Sequence, residues 1–198
     1  MIEPGDGRIE GSMTPSTLNC LRISAVILLL LQLACTRVAV PPGTPSLELS
    51  SSSFPNGGAM PATYTCDGQN ISPELSWNSG PAGTQSFALI VTDRDSPFGY
   101  AFVHWLVYDL PPDTRELHEG VGNQSQLADG ALQGTTDFDK IGYGGPCPPG
   151  KSTHRYAFSL YALDTKLNLP TGAAEKQVVK AMKGHVVAAG EFIGRYHH

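Results

Sequence analysis

"YAFVHWLVYDLP", Tyr100 to Pro111, is the stretch on which the fold turns. It is aromatic and β-branched almost throughout, the composition that suits a pleated, buried surface. Alternation along a strand places Phe102, His104, Leu106 and Tyr108 on one face and Val103, Trp105 and Val107 on the other. Both faces are apolar apart from His104. The segment therefore reads as a central strand buried on two sides, with one titratable group set in its interior. Pro111, which lacks an N–H to donate, stops it.

Working outward, "SFALIVTD" (Ser86–Asp93) is a second continuous apolar run, ending in an acid. "RYAFSLYALD" (Arg155–Asp164) is a third strand and "VVAAGEFIGRY" (Val186–Tyr196) a last one. On the N-terminal side, the alternation Leu47-Glu48-Leu49-Ser50 reads as a first strand. "ATYTCDGQNISPELSW" adds short strands separated by turn signals at Asp67-Gly68 and Ser72-Pro73. Residues 112–142 are polar, glycine-rich and loop-like. "TGAAEKQVVKAMKGHV" changes character. Thr171 suits an N-cap, Val178, Val179 and Met182 recur at helical spacing, and Gly184 suits C′. Short strands followed by one late helix predict an all-β dominated chain: a two-sheet antiparallel β-sandwich with one late α-helix, over residues 46–198.

The chain has 198 residues, with 13 Lys+Arg against 18 Asp+Glu for a net charge of −5. No segment carries the clustered Lys/Arg that neutralising phosphates along a duplex requires, which argues against nucleic acid as a partner. "ISAVILLLLQLAC" (Ile23–Cys35), preceded by Arg22, has the length of a signal-peptide hydrophobic region and is too short to span a bilayer. Residues 1–12 carry three acids and one arginine, the wrong charge for such a leader, whereas "MTPSTLNCLR" from Met13 has the right one. Translation from Met13 is the expectation. Residues 1–35 read as a leader, with its true start at Met13, and 36–45 as a Pro/Gly-rich tether.

The leader ends in "LAC", a small residue directly before Cys35, as in a bacterial lipoprotein signal, although Gln32 stands where such signals prefer an aliphatic residue. Export with Cys35 lipidated is expected, to a periplasmic or membrane-anchored location. Cleavage near Thr36 to a secreted protein is the alternative. Membrane contact is expected only through that anchor. Export also bears on the cysteines. Cys66 and Cys147 form the one pair in the domain, a candidate disulfide in an oxidising compartment, with two buried free thiols as the alternative.

Polar groups concentrate in three places: "DRDSP" (Asp93–Pro97), His104, and "GGPCPPGKSTHRY" (Gly144–Tyr156). His154 and Tyr156 are two apart and share a strand face. Taken in order with "CDGQNISPELSW" and the closing "GRY", from about Ser46 to Tyr196, these motifs resemble the phosphatidylethanolamine-binding proteins, nearest to their bacterial Raf-kinase-inhibitor-like branch. The resemblance implies a two-sheet sandwich with a small anion-binding cavity at one end. Carried over by motif, that cavity would be lined by Asp93, Ser96, Pro97, His104, Cys147, Pro148, Pro149, His154 and Tyr156, with Asp95 structural. The cysteine departs from the eukaryotic members, whose corresponding loop has none.

The residue types suit an oxyanion. Two imidazoles, a phenol and the backbone N–H groups of the Cys147 loop supply hydrogen-bond donors. The prolines hold φ fixed and keep the loop open. Asp93 beside an anion makes sense if it orients a histidine or accepts the proton of a mono-protonated phosphate. Arg155 faces away from His154 and suits a structural ion pair.

A phosphate-containing small molecule or phospholipid headgroup is the expected partner. The alternative is a protease- or kinase-inhibitor-like module that engages a protein through the cavity rim. Catalysis, cofactors and a metal are not expected. The chain has no G-x-S-x-G elbow, a bridged Cys147 between prolines makes a poor nucleophile, and no ligand spacing singles out a metal site.

Overall fold

The computed structural model describes residues 38–198. The leader, Met13, Cys35 and the first residues of the tether lie outside the described residues. From Pro45 the chain is already paired: Ala189 N–H donates to the Pro45 carbonyl and Leu47 N–H to that of Ala189.

Among the described residues, eight strands and one α-helix follow in chain order. The strands are β1 (Leu49–Ser50), β2 (Leu75–Trp77), β3 (Ser86–Asp93), β4 (Phe102–Leu110), β5 (Glu116–Leu117), β6 (Leu132–Gln133), β7 (His154–Leu163) and β8 (Val186–Tyr196). The helix, α1 (Glu175–Met182), precedes β8. A three-stranded sheet runs β1-β2-β5 and a five-stranded sheet runs β6-β4-β3-β7-β8, with all strand pairs antiparallel.

One hydrophobic cluster fills the space between the sheets. Leu49, Leu75, Trp77 and Leu117 of the small sheet meet Phe87, Leu89, Trp105, Val107, Phe158 and Leu160 of the large one. A second cluster covers the outer face of the large sheet, where Ala88, Leu106 and Tyr108 lie under Leu167, Val178 and Met182. This explains the apolar character of both faces of β3 and β4. Each large side chain so buried stabilises by roughly 1.5–3 kcal/mol.

Three details differ from the expectation. Within the polar stretch 112–142, β5 and β6 are strands of two residues each, too short to carry an alternation signal. Gln133 of β6 is nonetheless buried and saturated. Its Oε1 accepts from Trp105 Nε1–H at 2.6 Å, and its Nε2 donates to the carbonyls of Gly122 and Gln124. Next, α1 starts after Ala174, so Thr171 is not its N-cap. Ala174 has no side-chain oxygen, and the Gln177 Oε1 reaches back to accept the Ala174 N–H at 3.0 Å. Gly184 does take the left-handed conformation just past the helix, at φ 85°.

The third difference matters most. In the pairing of β3 with β4, Val91 faces Trp105 and Thr92 faces Val103, so His104 is an extra, bulged residue. The strict alternation assigned from the sequence breaks there. A bulge bends the strand and re-aims its side chain. His104 accordingly packs against Tyr156, which belongs to the inter-sheet cluster, and not alongside Leu106 and Tyr108.

Cys66 and Cys147 are joined in a disulfide across a sequence separation of 81 residues. Closing a loop of that length contributes about 4–5 kcal/mol in the chain-entropy account. Replacing both cysteines by alanine is expected to cost ~2–5 kcal/mol while leaving the fold in place. Chemical denaturation of the oxidised protein and the double variant checks this; coincident midpoints would contradict it.

Candidate functional site

β3 and β7 pair so that Asp93 stands opposite Tyr156, which brings the end of one strand beside the start of the other. Asp93 and His154 are each only 5% exposed, and the His154 Nδ1–H donates to Asp93 Oδ2 at 2.7 Å. The other carboxylate oxygen accepts the Asp95 N–H at 2.8 Å. A buried carboxylate needs this compensation, because leaving it unpaired costs several kcal/mol. The pairing fixes His154 with Nε2 free of the aspartate.

On the exposed side, the same turn is stitched to β7. Arg155 donates from Nε and Nη2 to the two Asp95 oxygens, at 2.8 and 2.6 Å, and its backbone N–H donates to Asp95 Oδ2. These bonds hold the Asp95 carboxyl at about 2. Asp95 and Arg155 thus have the structural role expected of them, with Arg155 turned away from His154.

The bulged His104 is tied to the loop before Cys147. Its Nδ1–H donates to the Gly144 carbonyl at 2.7 Å, and the Gly144 N–H donates back to the His104 carbonyl at 2.9 Å. A carbonyl can only accept, so the tautomer is set with the proton on Nδ1. Burial pushes the pKa of His104 below the ordinary histidine range, with the Gly144 carbonyl acting in the opposite direction. The ring is therefore neutral at pH 7, and its Nε2 carries a lone pair.

Tyr156 meets the His104 ring edge-on, with centroids 5.1 Å apart. Its hydroxyl is buried and makes no hydrogen bond of good geometry among the described residues, although the Asp93 carboxylate lies close enough to act on it. Burial, and then the charge of Asp93, push its pKa up, so it stays an O–H donor. An unsatisfied buried hydroxyl costs ~1–3 kcal/mol. It marks a place where a partner is owed.

The Cys147 loop is docked by more than its disulfide. Cys66 N–H donates to the Pro146 carbonyl at 3.0 Å, Gly145 N–H to Asn70 Oδ1 at 2.7 Å, and the Tyr143 hydroxyl to the Tyr64 carbonyl at 2.8 Å. Only glycine permits this approach at position 145, where a Cβ would lie 2.5 Å from the Tyr64 carbonyl oxygen.

Of the nine residues carried over by motif, Asp93, His104, His154 and Tyr156 are thus brought together. The other five occupy the two flanking segments. Ser96 Oγ accepts the Phe98 N–H within its turn, and Pro97 is exposed beside it. Cys147 and Pro149 are exposed and Pro148 is buried. No hydrogen bond among the described residues links these five to the four.

An aromatic lip was not anticipated. Phe98 and Tyr100 stack at 6.1 Å and are 63% and 56% exposed. Phe98 leads to Phe102 at 5.7 Å, and Phe102 and Phe138 both pack on His104. "FGYAF" was a visible signal for the first three. Phe138 had none, because it is delivered from the long loop by reciprocal bonds between Asp137 and Val103.

The depressed His104 pKa has a consequence for stability. In the unfolded chain this histidine takes a proton near pH 6.5; in the folded chain it does so only at lower pH. The unfolded state then binds more protons, and stability falls as pH drops below that range. His104→Asn keeps a donor where Nδ1 was but does not titrate. Between pH 7.5 and 5.5, wild type is expected to lose more unfolding free energy than the variant in denaturant titrations; equal losses would contradict the assignment.

Comparison with known proteins bears on the family and the fold. A family profile described as Phosphatidylethanolamine-binding protein matches residues 50–197. The UPF0098 protein of Methanothermobacter thermautotrophicus is 45% identical over 150 residues, covering 76% of this chain and 98% of its own. The UPF0098 protein YbhB of Escherichia coli is 38% identical over 157 residues, covering 76% and 99%. Among solved structures, E. coli YbcL, described as a new member of the mammalian PEBP family, superposes with a TM-score of 0.72 at 31% identity, covering 77% and 99%. A PEBP homologue from Chlamydia trachomatis gives 0.70 at 38% identity, covering 78% and 99%. A mostly β chain of two antiparallel sheets and one described helix, matched over nearly its whole domain, belongs to the phosphatidylethanolamine-binding protein family, in its YbhB/YbcL-type branch.

Proposed function

We propose that this protein is an exported binding protein for a phosphate ester, held between His104, His154 and Tyr156, and that it performs no catalysis. The observation that carries the reading is the buried hydroxyl of Tyr156, whose ring packs on His104 and which stands two residues along the strand from His154, both histidines having Nδ1 already committed. Each imidazole has Nε2 left to offer. A neutral ring accepts a ligand O–H there, and a protonated ring donates to a phosphoryl oxygen. A phosphate monoester that keeps one proton presents both kinds of group, and the tyrosine hydroxyl donates to a third oxygen. Cys147, the nearest thiol in sequence, is consumed in the disulfide and supplies no nucleophile. Lipidation at Cys35, with the tether leading to the domain, would hold it at a membrane; cleavage without lipid would release it.

Magnitudes define the ligand class. Three charge-assisted hydrogen bonds at ~1.5–3 kcal/mol each yield about 5–9 kcal/mol, and association costs at least ~4 kcal/mol. Inorganic phosphate alone would bind weakly. The lip of Phe98, Tyr100, Phe102 and Phe138 adjoins His104 and offers an apolar surface to the remainder of the ligand, as a phospholipid headgroup with its glycerol would use. The exposure of Phe98 and Tyr100 also favours a second reading, an inhibitor-like contact with a protein at this rim. Pull-down in the presence and absence of phosphoethanolamine separates the two. Competition ties the protein to the site, whereas capture unaffected by His104→Ala and His154→Ala assigns it to another surface.

The direct test is calorimetric titration with phosphoethanolamine. His104→Ala and His154→Ala are each expected to weaken binding by roughly 10–100-fold, the loss of one charge-assisted bond, with circular dichroism unchanged. Unchanged affinity in both would refute the site.

A pH series adds a sign. A phosphate ester regains its proton near pH 6, and protonation suits both neutral imidazole acceptors and imidazolium donors. Affinity is expected to rise from pH 8 to pH 6, with the depressed His104 contributing its own charge only below that. Affinity that falls over this interval would contradict the proposed contacts.

A further inference from the structure

Beside the buried histidines and sharing Cys147 with the flanking loop, one cluster among the described residues has the chemistry of a metal centre. Cys66 Sγ, Cys147 Sγ and an imidazole nitrogen of His198 all lie within 4.8 Å of one another, and all three residues are exposed. While the sulfurs are bonded to each other, they offer no thiolate. The loops that carry them, however, are held independently of that bond. Cys66 N–H donates to the Pro146 carbonyl, Asn70 Oδ1 accepts the Gly145 N–H, and the Tyr143 hydroxyl bonds the Tyr64 carbonyl. The Cα atoms are 5.4 Å apart. Two thiolates on one tetrahedral zinc, at Zn–S ~2.3 Å, sit about 3.8 Å from each other. Side-chain rotation spans that change with the backbones where they are.

The histidine is prepared as a metal-ligating histidine is. β8 pairs with β7 through Tyr196 opposite His154, which sets the position of the residues just after the strand. His198 Nδ1–H donates to Asp67 Oδ2 at 2.8 Å, and the Tyr196 hydroxyl bonds the same carboxylate. A carboxylate on one ring nitrogen fixes the tautomer and leaves Nε2 as the ligand atom, the outer-shell arrangement that accompanies bound zinc. Two sulfurs and one imidazole suit Zn²⁺, with a fourth position open.

We propose that Cys66, Cys147 and His198 form a redox-gated zinc site. A dithiol reductant transfers two electrons and two protons to the disulfide, becoming a cyclic disulfide itself and leaving two cysteine thiols. Zn²⁺ then binds both sulfurs and His198 Nε2, and the two thiol protons are released to solvent. Oxidation closes the site. All three residues lie at the surface, where a reductant and the ion can reach them.

The test uses the purified full chain with its disulfide intact, and the same protein reduced with dithiothreitol and desalted under nitrogen. Zinc is titrated into each by competition with a chromophoric chelator, and folding is followed by circular dichroism. Reduced wild type is expected to bind one zinc with micromolar or tighter affinity, and oxidised protein to bind none at that site. His198→Ala and Asp67→Asn are each expected to weaken binding at least tenfold, His197→Ala to leave it unchanged, and the Cys66→Ser/Cys147→Ser variant to abolish it. Equal zinc binding by oxidised and reduced protein would overturn the proposal. So would full affinity in His198→Ala, or a reduced chain that unfolds or stays folded without taking up zinc.

Discussion

The hydrogen bond from His154 to Asp93 is the constraint from which the rest of the candidate site follows. It exists because β3 and β7 pair in a register that sets Asp93 opposite Tyr156, and it is buried, so neither partner can trade the other for water. The aspartate also organises the turn behind it through the Asp95 N–H, and Asp95 in turn clasps Arg155 on the outer face. One carboxylate therefore orients a histidine and shapes a loop. That explains how an acid can stand within a site proposed for an anion: its charge is directed at a ring N–H and a backbone N–H.

The second organising feature is the inserted residue in β4. Without the bulge, His104 would project with Leu106 and Tyr108 under the helix-covered face of the sheet. With it, the ring reaches Tyr156 and the Gly144 carbonyl. The Gly144–Cys147 segment is then held from two directions, by His104 on one side and by Cys66, Asn70 and Tyr64 on the other. The atoms proposed to meet the ligand are thus mounted on strands and on a loop with little freedom, which would reduce the ordering cost of binding.

Much of this could be read from the residues. Doubly apolar strands announced the centre of the large sheet, the late helix was visible in the spacing of Val178 and Met182, and the motifs around Asp93, His104 and His154 pointed to residues that the fold brings together. What stayed hidden depends on long-range pairing. A bulge changes the face of His104 without changing any residue type, so alternation alone pointed it the wrong way. Two-residue strands such as β5 and β6 carry no period to detect, and Thr171 looked like a cap because the turn at Gly172, which delays the helix, leaves no local mark. Phe138 and the commitment of both Nδ1 atoms appear only when the loops close on the sheet.

The central claim is that the Nε2 atoms of His104 and His154 receive the ligand. Side-chain ¹⁵N NMR of the histidines during titration with phosphoethanolamine addresses it most directly. The account predicts that the Nε2 signals of His104 and His154 move together and saturate at one concentration, while those of His118 and His185 stay in place. Shifts confined to the exposed histidines, or none at saturating ligand, would contradict it.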